Sequence, residues 1–178
     1  MDQIEINTIS NVDNNVTVMV RNAYKSYVST NPILNGLNLT VPKGIIYGLL
    51  GPSGCGKTTL LNCIAGRMTL DSGSIKLNVQ KRVQMGYMPQ SLSLHGAMTI
   101  LESFFFYGYL YGMDTEIIEA RAKELIAFLD LPSKNRLVRD LSGGQQRRVS
   151  LAITIFHDPK LIILDEPTVG LDPILSER

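Results

Sequence analysis

Residues 51 to 58 read GPSGCGKT, and this stretch decides the fold that the sequence predicts. It matches the spacing G-x-x-x-x-G-K-[ST] and follows a continuous apolar run, IIYGLL, at residues 45 to 50. An apolar segment with helical spacing comes after it and stops at Gly66. The motif has meaning in this context of buried strand, glycine-rich turn and helix. The glycines let backbone N–H groups point inward, and the helix N-terminus adds partial positive charge. The sequence therefore predicts a phosphate-binding loop.

The residue types of the loop indicate a nucleoside triphosphate with Mg²⁺. Lys57 is expected to reach the β and γ phosphates, and Thr58 to supply a hydroxyl to the metal. The alternative, a glycine-rich turn without a ligand, is disfavoured because both flanking segments also fit the motif. We expect nucleotide contacts from Gly51, Pro52, Ser53, Gly54, Cys55, Gly56, Lys57, Thr58 and Thr59.

Residues 161 to 167 read LIILDEP, in which four apolar residues precede two carboxylates. In an open α/β sheet the ligand lies at the carboxyl ends of the strands, where such a segment would place both acids. Asp165 is expected to hold Mg²⁺ through water, and Glu166 to orient or deprotonate an attacking water. A pair of solvated acids at a strand end is the alternative, and the phosphate loop in the same chain disfavours it.

Residues 141 to 148 read LSGGQQRR and look like a helix start. Ser142 with Gln145 three residues later forms a capping box. Two glycines at the opening of a helix cost about 1 kcal/mol each relative to alanine, so another requirement must favour a bare backbone there. Close approach to a phosphate is the natural candidate.

The composition limits the function classes. The chain has 178 residues, of which 44% are hydrophobic and 19% charged, as is usual for one globular domain or slightly more. With 17 basic and 16 acidic residues, no strongly basic surface for nucleic acid is expected. Cys55 and Cys63 lie too far apart on a helix for a disulfide. The most membrane-like stretch, residues 98 to 113, contains Glu102 and is too short to span a bilayer.

Apolar spacing predicts a mixed α/β fold. Alternation indicates half-buried antiparallel strands near residues 16 to 20 and 37 to 41, and short runs indicate further strands at residues 73 to 77 and 83 to 88. The run at residues 45 to 50 and the run LIIL are expected to be strands buried on both faces. Three helices are predicted at residues 99 to 111, 116 to 130 and 142 to 156, the first from the capping box of Thr99 and Glu102.

In order along the chain, these motifs resemble the ATP-binding domain of ABC (ATP-binding cassette) proteins, from about residue 16 to residue 173. LSGGQ looks like the family signature, which covers the γ-phosphate of ATP held by the partner subunit. Gln90, in GYMPQ, resembles the glutamine loop that senses Mg²⁺ and the attacking water. Tyr27 resembles the aromatic residue that stacks on adenine, with Tyr24 as the second candidate.

The resemblance implies a P-loop NTPase (RecA-like) core with an antiparallel β subdomain and a helical subdomain, of ABC type and incomplete at the C-terminus. The polar, Asn-rich start of the chain indicates a tail at residues 1–15. The resemblance places the nucleotide-binding domain at 16–178 and the helical subdomain at approximately 96–158. It implies that Glu166, Gln90 and Lys57 are catalytic. Its implied metal ligands are Thr58, Gln90 and Asp165. Its implied nucleotide contacts, besides the loop, are Tyr27, Ser142, Gly143, Gly144 and Gln145.

The function implied by the resemblance is transport driven by hydrolysis of Mg-ATP. Its partners would be a second nucleotide-binding domain, arranged head to tail, and a transmembrane domain, with no nucleic acid; the chain would lie on the cytosolic face of a membrane. With Met1 as the start, the cassette-first order resembles the G and H subfamilies, although a separate bacterial ATPase subunit is also compatible. A soluble ABC ATPase acting on ribosomes or DNA, and a regulatory module without turnover, are the alternatives.

One departure from the family pattern concerns a switch histidine that follows the LDP loop, residues 171 to 173. His95 and His157 both precede Asp165, so neither fits this role by position, and each is expected on the surface or at a helix end. We therefore expect a fragment of a longer protein, truncated after this loop.

Overall fold

The structure is a computed structural model that describes residues 15–27, 32–79 and 81–168. The chain divides into two compact units between Arg82 and Val83, and each is described by itself. The tail expected before residue 15 and the LDP loop at residues 171 to 173 lie outside the described residues.

The first unit contains a three-stranded antiparallel sheet and one helix. The strands are β1 (Val16–Ser26), β2 (Pro32–Pro42) and β3 (Ser72–Leu77), and the helix is α1 (Lys57–Ile64), which lies between β2 and β3 in the chain. The strand order in the sheet is β2-β1-β3. Val18 and Val20 of the central strand are buried, which confirms the alternation that predicted this strand. The sequence prediction of strands at residues 37 to 41 and 73 to 77 is also confirmed.

The prediction of a buried strand at residues 45 to 50 is wrong for this structure. The segment pairs with no strand among the described residues, and the Ile46 side chain is fully exposed, as is most of Leu50. A strand that is buried on both faces is stabilised only when neighbouring strands and covering helices surround it. The apolar composition of residues 45 to 50 is that of a buried strand. In the first unit, however, no neighbouring strand pairs with this segment among the described residues.

The second unit contains two parallel strands and three helices. Strand β4 (Met85–Met88) pairs with β5 (Leu161–Leu164), and Met88 lies opposite Leu164. A 3₁₀ turn at Arg82–Gln84 precedes β4, so this strand is shorter than the predicted run of residues 83 to 88. Between the strands come α2 (Ile100–Leu110), α3 (Thr115–Phe128) and α4 (Gly143–Ile155), each within one or two residues of its predicted bounds.

The three helices share one apolar core. Its fully buried members include Ile100 and Phe104 of α2, Ile118 of α3 and Phe156 at the end of α4. The Phe104 and Phe156 rings are tilted, with centroids 4.9 Å apart, a favourable aromatic arrangement. This core fixes where α4 begins, and α4 carries the predicted signature at its N-terminus.

The opposite face of α4 packs against β4 with small and polar residues. Gly86 of β4 lies so close to the Thr154 carbonyl of α4 that no side chain would fit between them. Arg147, Ser150 and Thr154, spaced at three and four residues, are all buried on this side. Helix α4 is therefore buried on two faces, one apolar and one polar.

The described residues thus form a mixed α/β fold with an antiparallel and a parallel sheet, as the sequence predicts. Within these residues no helix is both long and apolar enough to cross a membrane. The boundaries of the helical subdomain, approximately 96–158, stay a prediction.

Candidate functional site

In the first unit, the predicted phosphate loop leads directly into α1. Gly54 and Gly56 have φ angles of 79° and 94°, a region that side chains other than glycine rarely adopt. A Cβ on Gly56 would also lie 2.8 Å from Cγ2 of Ile33. Only glycine tolerates both the positive φ angle and the lack of space at position 56. The local packing therefore requires the same residue that the motif requires. The backbone of the loop is left bare at the N-terminus of the helix, where anions are stabilised.

Lys57, the first residue of α1, folds back over the loop that precedes it. Its Nζ donates hydrogen bonds to the carbonyl oxygens of Gly51 and Pro52, at 2.8 and 2.9 Å. The side chain of Cys55 lies on the same side, with Sγ 4.0 Å from this Nζ. The loop thus holds an ammonium group against its own backbone, at the place where the sequence predicts phosphate. Cys55 and Cys63 are both free thiols, as expected.

Tyr27, the predicted adenine-stacking residue, lies near the same helix. Its hydroxyl is 3.4 Å from Oγ1 of Thr59 in α1, and 60% of the residue is exposed. Tyr24, the second candidate, instead turns its hydroxyl toward Gly36, where a Cβ would lie 2.9 Å away. The position of Tyr27 beside the loop helix, with its ring accessible, favours Tyr27 over Tyr24.

The strand end before Tyr27 is held by an ion pair. Asp71 accepts hydrogen bonds from Lys25 Nζ and from the Ser26 backbone N–H, both at 2.7 Å. The hydrogen bond from Lys25, followed by that from Ser26, lowers the pKa of the Asp71 carboxyl below its ordinary value. Asp71 follows α1 in the chain, so this pair ties the segment after the loop helix to the residue next to Tyr27.

In the second unit, the structure brings Gln90 and Glu166 together across 76 positions of sequence. Gln90 Nε2 donates a hydrogen bond to Oε2 of Glu166 at 2.7 Å. Gln90 follows β4 closely and Glu166 follows β5, so both lie beyond the carboxyl ends of paired parallel strands. Glu166 has a φ of 50°, in the left-handed region. This conformation is rare for a residue other than glycine, asparagine or aspartate and is concentrated at functional sites.

Asp165 is nearly completely buried at the end of β5, and only 2% of it is exposed. Its backbone N–H donates to the carbonyl of Met88 at 2.9 Å, which extends the pairing of the two strands by one residue. A buried aspartate in this position requires a compensating partner. Within the second unit, the Asp165 carboxylate and the Gln90 amide oxygen are of the ligand type that Mg²⁺ prefers.

The predicted signature lies at the start of α4, as expected. Ser142 is the N-cap: its side chain accepts from the Gln145 backbone N–H, and the Gln145 side chain accepts from the Ser142 backbone N–H. This confirms the predicted capping box. A Cβ on Gly143 would meet nothing within 4 Å. Packing among the described residues therefore does not require a glycine at position 143.

The sequence pattern did not predict a role for Arg147, a buried residue of the second unit. Its guanidinium contacts the backbone of both Gln90 and Glu166. The only signal in the sequence was its place on one helical face with Ser150 and Thr154, opposite the apolar stripe. A polar helix face of this kind usually faces solvent, so the pattern does not predict that Arg147 is buried.

The comparison with known families decides which family carries this arrangement. The ABC transporter family matches residues 34–169. The chain belongs to the ABC transporter family. The match covers the phosphate loop, the signature helix and the two carboxylates.

Curated relatives of this ABC transporter chain come from eukaryotes and bacteria. It is 37% identical to ABC transporter G family member 23 of Dictyostelium discoideum, over 92% of this chain and 24% of that protein. It is 41% identical to the Nod factor export ATP-binding protein I of Rhizobium meliloti (strain 1021), over 89% of this chain and 50% of that protein. The chain thus spans about a quarter to a half of the length of these relatives.

Solved structures agree with this family assignment. The structure of an ATP-binding subunit of an ABC transporter superposes with a TM-score of 0.80 and 25% identity, covering 90% of this chain and 70% of that one. A dimeric ATP-binding cassette in a post-hydrolysis state, bound to ADP and Pi, gives a TM-score of 0.78 and 29% identity, covering 90% and 78%.

Proposed function

We propose that this ABC transporter chain binds Mg-ATP and hydrolyses it to ADP and phosphate, as the ATP-binding part of a membrane transporter. The observation that carries the proposal is the contact between Gln90 and Glu166 at 2.7 Å. A phosphate loop alone occurs in many nucleotide-binding proteins. A carboxylate held by an amide at the carboxyl end of parallel strands, in a chain that also has the loop, supports hydrolysis rather than binding alone.

The loop residues bind and orient the phosphates. Backbone N–H groups of residues 53 to 58 and the N-terminus of α1 favour negative charge, and Lys57 Nζ exchanges its contacts to the Gly51 and Pro52 carbonyls for the β and γ phosphates. Tyr27 stacks on the adenine ring, which contributes modest affinity because stacking is tolerant of the base.

Glu166 then prepares the water that attacks the γ-phosphorus. The Gln90 amide occupies Oε2 of Glu166, so the other carboxylate oxygen accepts the proton or the hydrogen bond of the water. Water attacks as the bond to the leaving ADP oxygen breaks, with the two oxygens in line. Gln90 fixes the carboxylate rotamer, so less motion is needed on the way to the transition state.

The ligands proposed for Mg²⁺ are of the chemical type that this ion prefers. Thr58 of the first unit would supply a hydroxyl oxygen, and Gln90 and Asp165 of the second unit an amide and a carboxylate oxygen. No cluster of three or more His, Cys, Asp or Glu occurs in the described part of the chain. Mg²⁺ is commonly held by one or two protein groups, substrate phosphates and water, so such a cluster is unnecessary. When bound, the ion neutralises charge that develops on the phosphates.

The proposed partners are a second nucleotide-binding domain and a transmembrane domain. The dimeric cassette among the similar structures supports a dimer. The transporter relatives, one of them named for Nod factor export, support a place on the cytosolic face of a membrane. In the head-to-tail arrangement, Ser142 and the two glycines after it contact the γ-phosphate of ATP that the partner holds. A Cβ on Gly143 would meet nothing within 4 Å among the described residues, which leaves room for that approach.

Replacing Glu166 with glutamine tests the proposal. The amide keeps the shape of the side chain but cannot accept a proton, so Glu166→Gln should bind ATP as tightly as the parent while hydrolysis falls about 100- to 10,000-fold. Glu124→Gln is the matched control, because Glu124 lies on α3 in an exposed ion pair with Arg121. Phosphate release and fluorescent-ATP titration should be measured for both. Hydrolysis at the parent rate in Glu166→Gln would remove Glu166 from the mechanism.

A further inference from the structure

Arg147 is buried in the second unit, where its guanidinium joins three separate segments of the chain. Only 4% of the residue is exposed. Nη1 donates to the carbonyls of Pro89 and Gln90, at 3.1 and 2.7 Å. Nη2 donates to the Asp165 carbonyl at 2.8 Å and also to the Glu166 carbonyl. One side chain of α4 thus holds the backbone after β4 and the backbone after β5.

The residues that Arg147 holds are the ones whose side chains meet. Gln90 and Glu166 touch through their side chains, and the Arg147 guanidinium contacts the main chain of both. Each nitrogen serves one segment, so the planar fork fixes the spacing between the two. Glu166 also has the left-handed backbone conformation, which persists only where surrounding contacts enforce it. Arg147 supplies one of those contacts.

The chemistry of the contact requires arginine. A guanidinium presents donors in a rigid plane, whereas a lysine ammonium is a point charge on a flexible stem. Lysine could reach one carbonyl pair but could not keep two segments at a fixed separation. The four acceptors are backbone carbonyls, so these hydrogen bonds position the chain itself.

From this geometry we propose that Arg147 is a positioning residue for hydrolysis, which sets the separation of Gln90 and Glu166. It does so from the second turn of α4, five residues after Ser142, so it also connects the signature helix to that pair. The inference rests on the proposed ATPase function.

The test uses Arg147→Gln and Arg147→Lys in the intact protein, with kcat and KM for ATP measured separately. Because the residue positions the pair and does not touch nucleotide, KM should stay within about twofold while kcat falls about 10- to 100-fold, the usual effect of misplacing a reacting group by 1 Å. Arg147→Lys should lose nearly as much kcat as Arg147→Gln. Ile153→Val, a buried change on the same helix, is the control for lost stability and should leave kcat unchanged at temperatures where the protein is folded.

A second measurement separates positioning from a purely structural role. If Arg147 acts through the pair, then adding Arg147→Gln to a Gln90→Ala background should lower kcat by less than about threefold further, because interacting residues are not additive. Three outcomes would each overturn the inference. They are additive losses of kcat in the double variant, a kcat equal to that of the parent in Arg147→Lys, and a kcat loss in Ile153→Val equal to that of Arg147→Gln. Failure of the proposed function is distinguishable, since then the parent protein and Glu124→Gln would themselves show no hydrolysis.

Discussion

Lys57 is the only charged residue of the phosphate loop, residues 51 to 58. Its ammonium group already donates hydrogen bonds to two backbone carbonyls of the loop. Lys57→Ala should therefore lower ATP affinity about 10- to 100-fold, which corresponds to a charge-assisted hydrogen bond of about 1.5–3 kcal/mol. The fold should persist, because the side chain is only partly buried and fills no core volume. Fluorescent-ATP titration measures the affinity, and circular dichroism checks the fold.

Lys76→Ala is the control for Lys57→Ala, since Lys76 is an exposed lysine on β3 of the same unit. Its ATP affinity should equal that of the parent. Equal affinity in Lys57→Ala and Lys76→Ala would contradict the assignment of residues 51 to 58 as the phosphate loop.

His157 follows the C-terminus of helix α4, and its ring stacks on Tyr111, which follows α2, with ring centroids 3.7 Å apart. Burial lowers the pKa of the imidazole below 6.5, against smaller opposing effects of the Met85 carbonyl and of Asp158. The unfolded chain therefore binds a proton at a higher pH than the folded one. The free energy of unfolding should be greatest above pH 6.5 and fall as the pH is lowered through the folded pKa.

This pH dependence can be measured by urea denaturation between pH 7.5 and 5. His157→Phe keeps a stacked ring without a titrating group and should flatten this part of the profile. His95→Gln should retain the slope of the parent, because His95 is exposed. A slope that persists in His157→Phe would assign the effect to another group.

Helix α2 and the run at residues 45 to 50 are both apolar, but only the helix is packed into a core. Mutations in the two segments should therefore change the free energy of unfolding by different amounts. Phe104 of α2 is fully buried, so Phe104→Ala should lower the free energy of unfolding by about 3–5 kcal/mol. Ile46, in the apolar run before the phosphate loop, is fully exposed. Ile46→Ser should therefore change the free energy of unfolding by less than about 0.5 kcal/mol. Urea denaturation measures both, and a large cost for Ile46→Ser would show that the run is a buried strand after all.

For the whole molecule, the proposed head-to-tail dimer predicts that two inactive variants restore activity when mixed. Lys57→Ala disables the phosphate loop, and Gly143→Arg blocks the signature, at a position where a Cβ would meet nothing within 4 Å among the described residues. In a mixed dimer, one site combines the intact loop of one chain with the intact signature of the other. An equal mixture should recover about a quarter of the parent hydrolysis rate for statistical pairing of the chains.

Each variant alone, at the same total protein concentration, is the control for this mixing experiment. Both should stay near background, and activity should rise only in the mixture. If the mixture stays as inactive as its components, then loop and signature act within one chain, or the signature does not act on nucleotide.

The sequence by itself determined the features that depend on neighbouring residues. The phosphate loop follows from a spacing of eight residues, the capping boxes of Thr99 and Ser142 from pairs three residues apart, and the helices from apolar periodicity. The order of these motifs was also sufficient to indicate the family. Each depends on local geometry, which sequence spacing describes directly.

Only the tertiary structure decided how distant segments meet. The contact of Gln90 with Glu166 and the hydrogen bonds of Arg147 to both backbones join residues 19 to 76 positions apart. The exposure of residues 45 to 50 likewise depends on which strands and helices surround them, although their composition favours a buried strand. Burial and long-range hydrogen bonds are properties of the packed chain. The same arginine would be a solvated charge on an isolated helix, and here it holds the ends of two strands.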